Sequence, residues 1–215
     1  MHHMAEHLLY IVRQTIESRD ERVARSYSMY IAVDPAAEAT ASAFLAAHGA
    51  GVFVVVNIAS AEPWREWPWN NCAEVLRALL PRWPELTFVL TPPPGKIESA
   101  ERVVGECGSD RVIVFPPSPR FLDLVALVGR ARLALTPDTA SVHVASACRR
   151  PVVALYSSLT SPTRLWSPLG VPARLVEAGP GQPVSAITPE QVVDACEELY
   201  VETEPPLGRH AVKEA

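Results

Sequence analysis

From Gly51 onward, apolar runs too short to be helices alternate with stretches of helical length, and this rhythm limits the chain to very few folds. Val52–Asn57 is a continuous apolar run, β-branched but for Phe53, ending on a polar residue, the pattern of a parallel strand buried on both faces. Leu86–Leu90, Arg111–Phe115, Leu133–Thr136 and Val152–Tyr156 repeat it at intervals that leave room for a helix between each pair. The predicted helices run from about Asn70 to Arg82, Lys96 to Cys107, a Ser118-Pro119 start to about Gly129, and Thr139 to Cys148. A last helix opens on Thr188-Pro189-Glu190-Gln191, a capping box, and continues to about Tyr200. Strands and helices in strict alternation specify an α/β fold with a Rossmann-like, doubly wound parallel sheet.

Upstream, Leu8, Leu9, Ile11, Val12 and Ile16 predict an amphipathic helix over Ala5 to about Arg19, and Tyr27–Val33 predicts a short strand. Pro35 to His48 is alanine-rich and helical, with Gly49 as its stop. Residues 1–49 therefore read as a helical linker with a short strand and helix, residues 50–202 as the main domain, and 203–215 as a flexible tail.

Composition narrows the function classes. Hydrophobic residues at 48% and charged residues at 20% describe a globular core rather than a disordered chain. A net charge of −5 gives no general attraction to nucleic acid. The Arg130/Arg132 and Arg149/Arg150 pairs read as solvated helix ends. Cys72, Cys107, Cys148 and Cys196 lack zinc-ligand or CxxC spacing and read as reduced structural thiols. The apolar runs are strand-sized, below the ~20 residues of a membrane helix, and Met1–Glu6 lacks the order of a signal peptide. The expected location is the cytoplasm.

In open α/β sheets, ligands bind beyond the carboxyl ends of the strands. Two loops there carry informative residues. After the strand ending at Thr136, Pro137-Asp138-Thr139-Ala140-Ser141 leads into a helix of small residues, where free amides near Thr139, Ala140 and Ser141 can cradle an anion. The hydroxyls of Thr139 and Ser141 add donors. Asp138 suits helix capping or a ligand hydroxyl better than a phosphate. After Val52–Asn57, the second loop offers Ser60 and Arg65 as phosphate partners, beside Trp64, Trp67 and Trp69, which form an exposed or half-buried cluster that could equally cover the edge of the core.

Asp138-Thr139-Ala140-Ser141-Val142-His143-Val144-Ala145-Ser146-Ala147 followed by Pro151-Val152-Val153-Ala154-Leu155 resembles the Asp-Thr-Gly-x-x-His-Leu-Ala-x-Ala and Pro-Val-Val-Ala-Leu segments of glycosyltransferase family 9, the heptosyltransferase family. Ser60, then Arg65-Glu66-Trp67-Pro68, is similar to that family's Ser/Thr and Lys-x-Trp-Pro loop, and Trp166-Ser167-Pro168-Leu169-Gly170 to its Trp-x-Pro-x-Gly. The likeness covers roughly residues 50 to 200. Ala140 stands where the family has Gly, and Arg65 where it has Lys.

The resemblance implies the C-terminal, donor-binding half of a GT-B glycosyltransferase, transferring a sugar to lipopolysaccharide or another glycan. The implied substrate is ADP-heptose or another nucleotide sugar, with no cofactor. Ser60 and Arg65 would contact the diphosphate, and Asp138, Thr139 and Ala140 would surround the phosphates or proximal sugar. Ser141 would add a donor, and His143 would face the loop or bond a backbone carbonyl. No Asp-x-Asp pair occurs, so no metal is expected. The general base is expected in an N-terminal acceptor domain or split subunit, so no catalytic residue is assigned. The glycan or lipid acceptor would lie at the inner membrane face. Two alternatives stand: a non-catalytic nucleotide-sugar-binding module or truncated remnant, and an unrelated α/β enzyme, of which a dehydrogenase lacks support because no Gly-x-Gly-x-x-Gly occurs.

Overall fold

The computed structural model describes residues 29–159 and 165–203. The helix expected over Ala5 to about Arg19 and nearly all of the tail from 203 to 215 lie outside them. Among the described residues six parallel strands form one sheet: β1 (Val52–Val56), β2 (Leu86–Leu90), β3 (Val112–Val114), β4 (Leu133–Pro137), β5 (Val152–Tyr156) and β6 (Ala173–Glu177), in the order β3-β2-β1-β4-β5-β6. The helices are α1 (Pro35–Ala47), α2 (Trp69–Leu79), α3 (Ile97–Cys107), α4 (Phe121–Arg130), α5 (Ala140–Ala147) and α6 (Pro189–Glu202).

Side-chain alternation along β1 shows why the sheet needs helices on both sides. Val54 and Val56 join the core under α2, α3 and α6, while Phe53 and Val55 join the core under α1, α4 and α5. These four side chains are at most 2% exposed. Burying a Val or Phe contributes about 1.5–3 kcal/mol relative to exposure, so a one-residue slip that inverted the faces would be costly. The register is Val54↔Leu133, Val55↔Ala134 and Val56↔Leu135 between β1 and β4, and Val52↔Leu86 through Val56↔Leu90 between β1 and β2.

The ends of the helices follow local chemistry. Asp34 caps α1 by accepting the Ala37 N–H at 2.7 Å, and Gly49 leaves that helix at φ +61°. The capping box at Thr188 forms as expected, with the Thr188 hydroxyl facing Gln191 N and the Gln191 side chain accepting from Thr188 N. α1 belongs to the core through Ala37, Ala41 and Leu45, and Arg120 and Arg130 tie it to α4 through Asp34 and Glu38.

Several expectations need correction. Residues 29–33 form no strand: Ile31 and Val33 satisfy their apolar character by packing on the core around α1 rather than by pairing. Ser118 does not cap α4, which starts at Phe121. Its hydroxyl instead donates to Asp123 Oδ2 at 2.6 Å and accepts the Arg120 N–H. Arg132 is no solvated helix end, since its guanidinium lies 4.8 Å from the Tyr200 ring centre and bonds Thr203 Oγ1 and Tyr200 O. β6 went unread because its burial alternates weakly and Arg174 and Glu177 dilute the apolar run.

Candidate functional site

The strand order 3-2-1-4-5-6 places a topological switch point between β1 and β4, where successive connections leave in opposite directions. A cavity of about 420 Å³ opens there. One wall is polar: Asn57 at the end of β1, Ser60 beyond it, and Thr139, Ala140 and Ser141 at the start of α5. The other is built by the loops after β2 and β3, with Thr91-Pro92-Pro93-Pro94, Phe115-Pro116-Pro117, and Phe121 and Leu124 of α4. Proline rings and aromatic faces make that side stiff and apolar.

Thr139, not Asp138, caps α5: its hydroxyl accepts the Ser141 N–H at 3.3 Å, and Val142 N–H closes the first turn on Thr139 O. Among the described residues nothing accepts from the Thr139 and Ala140 amides, so the positive end of the helix stays available to an anion at the cavity wall. The hydroxyl of Ser60 accepts the Glu62 N–H at 3.2 Å, a turn that holds the loop against the cavity.

Arg65 and Asp138 meet beside this wall, outside the cavity lining. Arg65 Nη1 lies 3.4 Å from Asp138 O and 3.5 Å from Asp138 Oδ2. The Asp138 amide donates to Leu155 O at 2.9 Å, which explains why it cannot turn to cap the helix. Burial pushes the Asp138 carboxyl above the usual range, while Arg65 and His143 pull it back. The side chain of His143 is half-buried, and its ring stands edge-on to Trp166, with centroids 6.2 Å apart.

The structure thus gathers Ser60, Thr139, Ala140 and Ser141 on one cavity and sets Arg65, Asp138 and His143 next to its helix start. The tryptophan cluster divides. Trp67 is fully buried, with its indole N–H donating to Ile187 O at 3.0 Å, so it belongs to the core edge and not to an exposed surface. Trp64 and Trp69 are half-buried. Sequence reasoning missed Asn57 as a site residue, and it missed the whole second wall. Asn57 had a usable signal: a polar side chain terminating an apolar central strand at its carboxyl end. The proline-rich wall did not, because its proline and aromatic residues after β2 and β3 form no pattern that marks a ligand, and Thr91, Ser118 and Arg120 lie singly among them. Among the described residues, no group of three or more His, Cys, Asp or Glu side chains is placed to hold a metal ion.

The family model of glycosyltransferase family 9 (heptosyltransferase) matches residues 2–184. The chain belongs to this family. Among solved structures, the family 9 glycosyl transferase from Veillonella parvula DSM 2008 superposes with a TM-score of 0.81 at 23% identity, covering 94% of this chain and 61% of that one. The E. coli ADP-heptose lps heptosyltransferase II gives 0.68 at 21%, over 82% of this chain and 54% of that one. E. coli heptosyltransferase WaaC with ADP gives 0.59 at 22%, over 70% and 45%. At such identities the likeness is one of fold, and this family 9 chain spans less than two thirds of each of these structures. Among curated proteins none matches it. No helix among the described residues is long and apolar enough to cross a membrane.

Proposed function

We propose that this family 9 chain is the donor-binding half of a glycosyltransferase that moves a sugar from a nucleoside diphosphate carrier to lipopolysaccharide or another glycan. ADP-heptose is the first candidate donor, since WaaC was solved with ADP. One observation carries the reading: the cavity at the switch point ends on the start of α5, so a nucleoside and its diphosphate fit the two walls in that order. The nucleoside lies against the proline-rich wall. The diphosphate lies against the Thr139 and Ala140 amides and the Ser60, Thr139 and Ser141 hydroxyls.

Transfer builds negative charge on the leaving diphosphate, and preorganised donors aimed at that charge lower the barrier. The helix start supplies such donors, and Arg65 extends them by reaching over from the neighbouring loop. Asp138, next to the phosphates, accepts a hydroxyl of the transferred sugar. In this reading residues 50–202 make up the donor domain, with α1 of the preceding segment packed upon it. The general base and the acceptor pocket belong to an N-terminal domain or separate subunit, and the acceptor brings the assembly to the cytoplasmic side of the inner membrane.

Calorimetry with ADP, UDP and GDP and their sugars tests the reading. One charge-assisted hydrogen bond contributes about 1.5–3 kcal/mol, so Arg65→Ala is expected to weaken the preferred nucleotide by tenfold or more. If Arg65→Ala and Thr139→Ala both bind as the parent does, the diphosphate does not sit here.

A further inference from the structure

Asn57 ends the central strand at the switch point and touches every hydroxyl of the facing turn. Its amide nitrogen lies 3.2 Å from Thr136 Oγ1, 3.3 Å from Thr139 Oγ1 and 3.5 Å from Ser141 Oγ. The rest of the residue is fixed, since Oδ1 accepts the Ala59 N–H at 3.2 Å and the backbone N–H donates to Leu135 O at 2.9 Å. The amide oxygen therefore faces its own loop, and two N–H groups face α5, shared among three hydroxyl oxygens.

A side-chain amide nitrogen only donates, so each hydroxyl it touches there must accept and keeps its own hydrogen for another partner. Thr136, almost fully buried, directs its hydrogen to Pro137 O at 3.0 Å. Thr139 already accepts from Ser141 N–H, and lies 3.1 Å from Thr136 Oγ1. For Ser141, no acceptor of the hydroxyl hydrogen exists among the described residues, and the side chain lines the cavity. An unguided serine at the first turn of a helix would turn that hydrogen back toward a carbonyl of the preceding turn.

We infer that Asn57 is a positioning residue: by donating to the Ser141 oxygen it aims that hydroxyl's hydrogen at a phosphate in the cavity. The inference rests on the donor-site reading given above. In this assignment Asn57 acts through the Ser141 hydroxyl, so its effect must vanish once that hydroxyl is gone.

The test is calorimetric binding of ADP and of adenosine to the parent protein, Asn57→Leu, Ser141→Ala and the double variant. Losing one directed bond to a charged group is expected to weaken ADP about tenfold in each single variant. The double variant is expected to be no more than about twofold worse than the weaker single, because the two act on one bond. Adenosine, without phosphates, is expected to bind all four proteins alike. Unchanged ADP binding in Asn57→Leu, a parallel loss for adenosine, or additive losses in the double variant would each overturn the assignment. Should Asn57→Leu fail to fold, Asn57→Asp keeps the shape and the Ala59 contact but draws the hydroxyl hydrogens inward. It is then expected to lose ADP and retain adenosine, and retention of ADP refutes the idea. A parent protein that binds none of ADP, UDP and GDP sinks the donor site and this inference together, whereas binding by the parent with an indifferent Asn57 sinks the inference alone.

Discussion

Asp138→Asn is expected to tighten the binding of ADP, although it removes a charge from beside the site. The carboxylate lies 3.5 Å from Arg65 Nη1, with 14% of the Asp138 side chain and 30% of the Arg65 side chain exposed. Such a part-exposed pair is worth about 0.2–1 kcal/mol, which a phosphate must overcome to draw on the guanidinium charge. A second cost comes from repulsion. A carboxylate and a phosphate about one helical turn apart, ~5.4 Å, repel by about 0.8 kcal/mol at the dielectric constant of water. Together these give roughly 1–1.8 kcal/mol, or about five- to twentyfold in affinity. The isosteric amide leaves the Asp138 carbonyl in place to accept from Arg65 at 3.4 Å, so the loop should not shift. The pH dependence has a definite sign. Burial raises the Asp138 pKa above 3.8, so the carboxyl is neutral below that raised value and charged above it. Parent affinity is expected to fall relative to the variant as pH rises through it, and the difference between the two proteins cancels the titration of ADP itself. Calorimetry of ADP across that window is the assay. Weaker or unchanged ADP binding in the variant at neutral pH would refute the reasoning, since Asp138 would then be helping the phosphates.

Two further outcomes test the packing behind the site. Trp67→Phe removes a buried donor from Ile187 O and part of a fully buried ring; the unpaired carbonyl and the void together should lower stability by about 2–4 kcal/mol, and a change below about 1 kcal/mol in urea denaturation would contradict it. Burial pushes the Cys196 thiol up to about 12 and raises Cys72 further, while Cys107 and Cys148 are raised but only half-buried. A thiol reagent is therefore expected to label Cys107 and Cys148 in the folded protein and Cys72 and Cys196 only as it unfolds; early labelling of Cys72, followed by mass spectrometry of peptides, would contradict the burial.

What could be read from the sequence followed the strength of each local signal. Val152–Tyr156 carries an uninterrupted apolar run and Leu86–Leu90 one broken only by Thr87, both with clear punctuation, and their strands have those bounds. Residues 29–33 carry a similar apolar content but serve as packing for α1, a choice that depends on whether a neighbouring strand has a free edge. In the site, residue types on the Asp138–Ser141 turn announced a helix start with unpaired amides, because orphan amides follow from the backbone alone. The partners did not. Thr139 takes the cap because the Asp138 amide is fixed to β5, and Arg65 meets Asp138 across 73 positions of chain. Neither pairing leaves a trace in local sequence.

The two departures from the family pattern become intelligible once the site is seen as a set of dipoles with its cations already paired. Arg120, on the cavity wall, is held by both oxygens of Asp34 at 2.7 Å, and Arg65 is held by Asp138. The field that would greet a diphosphate, as proposed, therefore comes first from N–H and O–H groups, which do not have to give up a counter-ion. An ammonium at position 65 would be a point charge that the Asp138 carboxylate neutralises as a whole. A guanidinium is a planar fork with five donors, and here Nη1 alone makes both contacts to Asp138. Nε and Nη2 make neither of these contacts, so in the proposed site arginine would hold the loop and reach the phosphate at once. Ala140, for its part, sits at the first position of α5 in ordinary helical backbone, where a methyl group is no obstacle to the chain. It does place that methyl at the cavity wall, where it would trim the space beside the proposed diphosphate and leave the amide as the contact.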